Sequence, residues 1–222
     1  MRIIQGVLWA PKPGRAMEMA GQMAAAKKIH VRLGAKARAW SLQAAGVNAL
    51  QALYSLEFED WNAYGKISQA LNADTEWQTF GRTVLNAPDP AATLISNNLA
   101  VSLPGLGDSP PAGTGPGPRY SSSRFFDVGT GRRTEALALL AELKVFVERN
   151  GGRFRASQGL FTGPTTGRVQ TVTEHDDIAA FGAYQARVVD DAAMQAFVAN
   201  RVGAVGSPVT LVAASTRSEI PI

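Results

Sequence analysis

Glu57-Phe58-Glu59-Asp60-Trp61-Asn62-Ala63-Tyr64-Gly65 decides the fold, because its pattern returns 117 positions later as Glu174-His175-Asp176-Asp177-Ile178-Ala179-Ala180-Phe181-Gly182. In both, a β-prone run ends near a glutamate and an aspartate stands where a helix N-cap belongs. Trp61 and Tyr64, or Ile178 and Phe181, then follow at helical spacing. Extending that offset lays residues 1–105 over residues 118–222 without a gap, and about 22 of the 105 pairs are identical, among them Gly14/Gly131, Arg38/Arg155, Asp74/Asp191 and Phe80/Phe197. Many unmatched pairs keep their character, as Tyr64/Phe181 does. The sequence therefore predicts a tandem duplication, with repeats over 1–105 and 118–222. Between them residues 106–117, LGDSPPAGTGPG, read as a linker, since their prolines and glycines sustain neither helix nor ladder.

Each element can be read twice. Residues 3–9 and 121–126 are first strands, and residues 15–33 and 132–150 are first helices with apolar stripes that stop at Gly34 and Gly151. Hairpins follow, 37–44 with 50–58 and 154–161 with 169–174. Second helices start at Asp60 and Asp177, are capped again at Asp74 and Asp191, and end near Leu85 and Val202; last strands run over 92–101 and 209–216. The order β-α-β-β-α-β, twice, is an α+β class of two ferredoxin-like units, each an antiparallel sheet with helices on one face. The bare faces would leave large apolar patches in water, so the two sheets are expected to close on each other as a barrel.

The segments 57–65, 73–78 (Ala73-Asp74-Thr75-Glu76-Trp77-Gln78) and 92–96, with weaker counterparts at 174–182, 190–195 and 209–213, make the chain resemble the dimeric α/β-barrel superfamily. Within it the chain is most similar to NIPSNAP-type and antibiotic-biosynthesis-monooxygenase-type modules. The resemblance implies a single-chain pseudo-dimeric α/β barrel, since members usually pair two chains. Activities in that superfamily run from cofactor-independent oxidation of aromatic polyketides to haem degradation and small-molecule isomerisation, and none carries over here by a matching catalytic motif.

Composition narrows the function. The 22 basic and 18 acidic side chains give a net charge of +4, but neither half concentrates the excess, which argues against a nucleic-acid surface. With no cysteine, disulfide, thiolate-metal and Cys-nucleophile chemistry are excluded. No run approaches the roughly 18 apolar residues of a membrane span, so a cytoplasmic protein without membrane or nucleic-acid partners is expected, with fused barrels free to associate further. Gly129-Thr130-Gly131-Arg132-Arg133 lacks the Gly-Lys-Ser/Thr ending of a phosphate loop and reads as a strand-to-helix turn.

Among candidate site residues, hairpin arithmetic places Arg38 opposite Glu57 and Arg155 opposite Glu174, from position sums near 95 and 329. As structural groups they are cross-strand ion pairs; as functional ones they line a cavity and orient an anionic or phenolic ligand. Alternation puts Trp40, Ser157 and Phe161 on the same inner face, where the pairing of Trp40 with Ser157 makes the space lopsided. His175, beside Glu174 and Asp176, is the candidate general base, although neighbours on a strand face opposite ways; His30 reads as a helix-end residue. These residues predict a barrel that binds a small hydrophobic or aromatic molecule and transforms it without cofactor or metal, Arg38 or Arg155 stabilising an oxyanion. The alternative is a non-enzymatic structural or interaction protein, NIPSNAP-like, with a barrel filled by side chains.

Overall fold

A computed structural model describes residues 1–107 and 119–222. Eight strands, β1 (Ile3–Pro11), β2 (Lys36–Leu42), β3 (Ala52–Phe58), β4 (Ala92–Ser102), β5 (Tyr120–Val128), β6 (Arg153–Phe161), β7 (Val169–His175) and β8 (Val209–Glu219), form one closed antiparallel barrel in the order β1-β3-β2-β8-β5-β7-β6-β4. The first four strands and the last four repeat one internal order, and the seams between them are β2 with β8 and β4 with β6. The fold is thus α+β, with helices outside a barrel. Most of the predicted 106–117 linker lies outside the described residues. Its first two residues are tied to the sheet: Leu106 is buried and its carbonyl accepts from the Ala156 N–H of β6 at 2.7 Å, while the Leu103 N–H donates to the Ala156 carbonyl at 3.0 Å.

Helices α1 (Ala16–Arg32) and α4 (Arg133–Arg149) each turn an apolar stripe onto the sheet. Met19, Met23 and Ala26 supply the first, while Leu139, Leu140, Leu143 and Val147 supply the second. Leu140 is fully buried, and a leucine in that state stabilises by about 1.5–3 kcal/mol. Helices α2 (Trp61–Ala73) and α5 (Ile178–Asp190) begin where expected: the Ala63 N–H donates to Asp60 Oδ1 at 2.8 Å and the Ala180 N–H to Asp177 Oδ1 at 2.7 Å. Asp74 and Asp191 cap the short α3 (Thr75–Phe80) and α6 (Ala192–Phe197) in the same way, each ending in a π-helical turn at Gly81–Leu85 or Val198–Val202. Strand alternation then sorts the sheet. On β3, Tyr54, Leu56 and Phe58 pack under the helices, while Leu53, Ser55 and Glu57 turn into the barrel. The apolar cores therefore lie between sheet and helices, and the barrel interior is a separate compartment.

Asp191 caps α6 and also accepts from Asn150 Nδ2 at 2.8 Å and Arg149 at 2.5 Å, which together hold its pKa down at about 2. The folded carboxylate stays charged where the unfolded chain takes up a proton, so its stabilisation is complete above pH ~4 and is lost as pH falls toward ~2. An Asp191→Asn variant is expected to flatten the acid limb of stability in that window, as measured by urea unfolding across a pH series.

Candidate functional site

All strand pairs being antiparallel, β1, β2, β5 and β6 run one way and the others return. The β2–β3 and β6–β7 connections therefore share one end, the mouth, while β3 and β7 finish at the opposite end, the floor. A cavity of about 270 Å³ lies between them. Its walls carry Leu8, Trp40, Leu53, Phe125 and Val172, with Ala45, Asn48, Thr162 and Thr165 at the mouth. The barrel is not filled by side chains, which corrects that version of the non-enzymatic expectation.

Arg38, Glu57, Arg155, Glu174 and Arg217 gather at the floor. The hairpin registers differ from expectation by two: Arg38 faces Ser55, and Arg155 faces Val172. The β2–β3 connection turns around a 3₁₀ segment (Gly46–Asn48), and hydrogen bonds between Leu42 and both Leu50 and Gln51 fix its centre one residue early; the second hairpin does the same around Gly163–Thr165. A two-residue shift keeps the face, so the charges still meet, but diagonally and across the barrel. Arg155 donates to Glu174 Oε1 at 3.1 Å and to Glu57 Oε1 at 2.7 Å, the latter linking the two halves. Burial pulls the Arg155 pKa down, but both carboxylates with their hydrogen bonds outweigh it and the net shift is upward. Arg38, which lost its expected partner, makes no hydrogen bond or ion pair through its guanidinium to any described residue. Burial and the nearby charge of Arg119 lower its pKa against the opposing pull of Glu174, Glu57 and Glu219.

Trp40 and Ser157 line the cavity on opposing halves. Trp40 is almost wholly buried, its Nε1–H donating to Ser55 Oγ at 3.1 Å. Phe161 does not line the cavity and is 65% exposed. The β4–β6 pairing slips between Ala100↔Gly159 and Leu99↔Phe161, so Leu160 is an extra residue on β6 and the alternation breaks there. His175 also stays out of the cavity. It points under the helices, with its ring 4.8 Å from Tyr184 and 5.4 Å from Phe181. Burial there, with Arg153 nearby, lowers its pKa to about 4, the state of a core residue rather than a base facing substrate. His30 is likewise a core group, with Nδ1 2.8 Å from the Ala26 carbonyl and Tyr54 Oη 3.1 Å away. The sequence reading missed Arg217, whose counterpart is Ala100 and which the repeat cannot flag. Its signal is parity, since Ala213, Ser215 and Arg217 follow one another on the inner face.

Haem degradation is among the activities of the barrels this chain resembles, and a haem in the cavity would have to find its iron ligand there. Iron would need a His, Cys, Met or Tyr ligand. Among the described residues the cavity lining contains none, and both histidines lie under the helices. These residues do not fit the group.

No family model and no curated protein sequence matches the chain. Solved structures do. A candidate monooxygenase from Fusobacterium nucleatum superposes with a TM-score of 0.66 at 5% identity, covering 98% of this chain and 91% of the other. An anthrone oxidase-like protein gives 0.56 at 16%, covering 99% and 91%. A variant of the chlorite dismutase of Candidatus Nitrospira defluvii gives 0.51 at 10%, covering 99% and 92%. Likeness at such identity establishes the fold, an α+β barrel with helices outside an antiparallel sheet, and leaves the chemistry to the residues of this chain.

Removing Arg155 takes a buried cation away from two carboxylates, so Arg155→Ala is expected to destabilise by about 3–5 kcal/mol. Arg38→Ala breaks no bond and should cost less than about 1 kcal/mol; chemical denaturation measures both. For His175, the depressed folded pKa means stability is full above pH ~6.5, falls as pH drops toward ~4 and then levels. His175→Phe places there the residue found at Phe58 and should abolish that loss without altering ligand binding.

Proposed function

We propose that the barrel is a binding chamber for one small, flat, largely apolar molecule, and that the chain acts on it as a monooxygenase-like enzyme. The single observation that carries this is the cavity of about 270 Å³, with apolar walls above a charged floor. An apolar pocket with a few converging polar groups is the usual form of a small-molecule site. Trp40 offers a rigid aromatic wall, and Ser157 opposite leaves the width that a second tryptophan would occupy, so one flat ring fits in one sense only. The fold shared with a candidate monooxygenase and an anthrone oxidase-like protein supports oxidation as the chemistry. On this reading residues 1–105 and 118–222 are repeats of one fused ferredoxin-like pair, joined through 106–117, and the chamber is their shared inner face.

Oxidation of an activated methylene by dioxygen balances without a reductant: one oxygen atom becomes the carbonyl, and the other leaves as water with the two hydrogens. The chain's part is to hold the ring, exclude bulk water and stabilise the anion that reacts. With His175 outside the chamber, no histidine serves as base, and Glu57 and Glu174 both bind Arg155.

Thermal-shift screening with neutral flat compounds (1,4-naphthoquinone, anthrone) and aromatic acids is expected to raise Tm for at least one of them. Trp40→Ala, which opens the wall, should weaken that binding by about tenfold or more. Absence of any shift across both sets would overturn the chamber reading.

A further inference from the structure

Among the described residues, six charged side chains line the cavity. Arg168, at the mouth, pairs with Asp127 at 2.7 Å. Arg155 is bound by Glu57 and Glu174, so the two lining carboxylates share one cation. Arg38 and Arg217 remain. Arg217 is 9% exposed; its Nε donates to Ser121 Oγ at 2.8 Å and its guanidinium lies over the Trp40 ring at 4.6 Å. Its two terminal nitrogens, like the whole guanidinium of Arg38, make no hydrogen bond and no ion pair with any described residue. The strands that carry them, β2 and β8, are hydrogen-bonded neighbours. The two cations lie close enough that each is disfavoured by surrounding like charge, Arg38 by Arg119 and Arg217 by Arg155 and Arg38.

Arg217 stands opposite Leu42, four residues along β2 from Arg38, and both line the same cavity. Two guanidiniums on one cavity floor, one buried and one half-buried, with both described lining carboxylates on Arg155, are a costly arrangement unless something negative completes it. The count agrees. Among the described lining residues at the floor, Arg38, Arg155 and Arg217 carry three positive charges against two on Glu57 and Glu174, an excess of +1. Arg119 pairs with Glu219 nearby and cancels, and Arg2 approaches Glu57 from outside the lining. We propose that Arg38 and Arg217 form an anion seat, and that the chamber's ligand is an aromatic monoanion, a carboxylate or acidic phenol, that docks its charged oxygens between these two guanidiniums with its ring against Trp40. Guanidinium forks suit planar oxygen pairs. Because no lining group is a free base, the ligand arrives already ionised. This rests on the chamber reading and adds the ligand's charge and orientation to it.

The seat breaks the symmetry of the halves. The position matching Arg217 is Ala100, and the position matching Arg38 is Arg155, which the glutamates occupy. Only one seat exists in the chamber, so binding saturates at one ligand per chain.

Isothermal titration of the intact protein with 2-naphthoate and its neutral isostere 2-naphthamide tests this. The carboxylate is expected to bind at least about tenfold tighter, with one site per chain. Arg38→Gln and Arg217→Gln should each remove that preference, bringing the carboxylate and the amide to about equal affinity. Arg38→Gln removes no existing bond, so it keeps the test open should Arg217→Gln disturb the fold through Ser121. Equal binding of the two compounds, or a preference that survives both substitutions, overturns the seat while the chamber stands. Binding of neither overturns both.

Discussion

A four-stranded antiparallel sheet with helices on one face has a second face to cover, and here each half covers the other's. The eight strands close without an end, and the seams are short: β2 and β8 pair over three residues each, and β4 and β6 over little more. Closure by so few backbone bonds leaves the inner surfaces of the two halves to meet across a gap rather than to interdigitate. The helices take the large apolar side chains, Leu140 and Phe154 among them, for the outer cores. What remains inside is a mixture of small, aromatic and charged groups that cannot fill the space. The cavity is thus a consequence of how apolar volume is distributed between the two faces of each strand.

At the floor of that cavity the halves are fastened by charge. Arg155 reaches Glu174 in its own half and Glu57 in the other. In a buried site such a bond is expensive to form and more expensive to break, so its value lies in fixing geometry more than in net stability. It also has a cost in symmetry. Two equivalent arginines and two equivalent glutamates could have formed two equivalent pairs, yet one arginine holds both carboxylates and the other is left facing the cavity. The two halves of the barrel differ at corresponding positions elsewhere too, Trp40 against Ser157 and Arg217 against Ala100. A symmetric pair of identical chains could not make a single one-sided chamber in this way.

The strand, helix and cap assignments were legible because each appears twice and rests on local chemistry. Asp60, Asp74, Asp177 and Asp191 cap from their own side chains, and the stripes of α1 and α4 follow from spacing alone. Face assignment was legible as far as alternation holds, which put Arg38, Trp40, Glu57, Arg155, Ser157 and Glu174 on the cavity side. It failed at Phe161, where an extra residue in β6 resets the parity. The register was off by two because a hairpin's centre depends on how its loop closes, and the 3₁₀ turns at Gly46–Asn48 and Gly163–Thr165 are not marked by composition.

Periodicity and the free energy of exposed apolar surface make three things readable from the residues alone: the β-α-β-β-α-β order in each half, where the helices start, and that the bare sheet faces need cover. Only the tertiary structure decided which charges touch. Arg155 meets Glu57 across nearly a hundred residues of chain, Arg217 comes to lie on Trp40 from the opposite terminus, and His175 falls on the helix side of β7. Such contacts depend on where strands from separate halves are brought together by closure of the barrel, a long-range distance that no local pattern encodes.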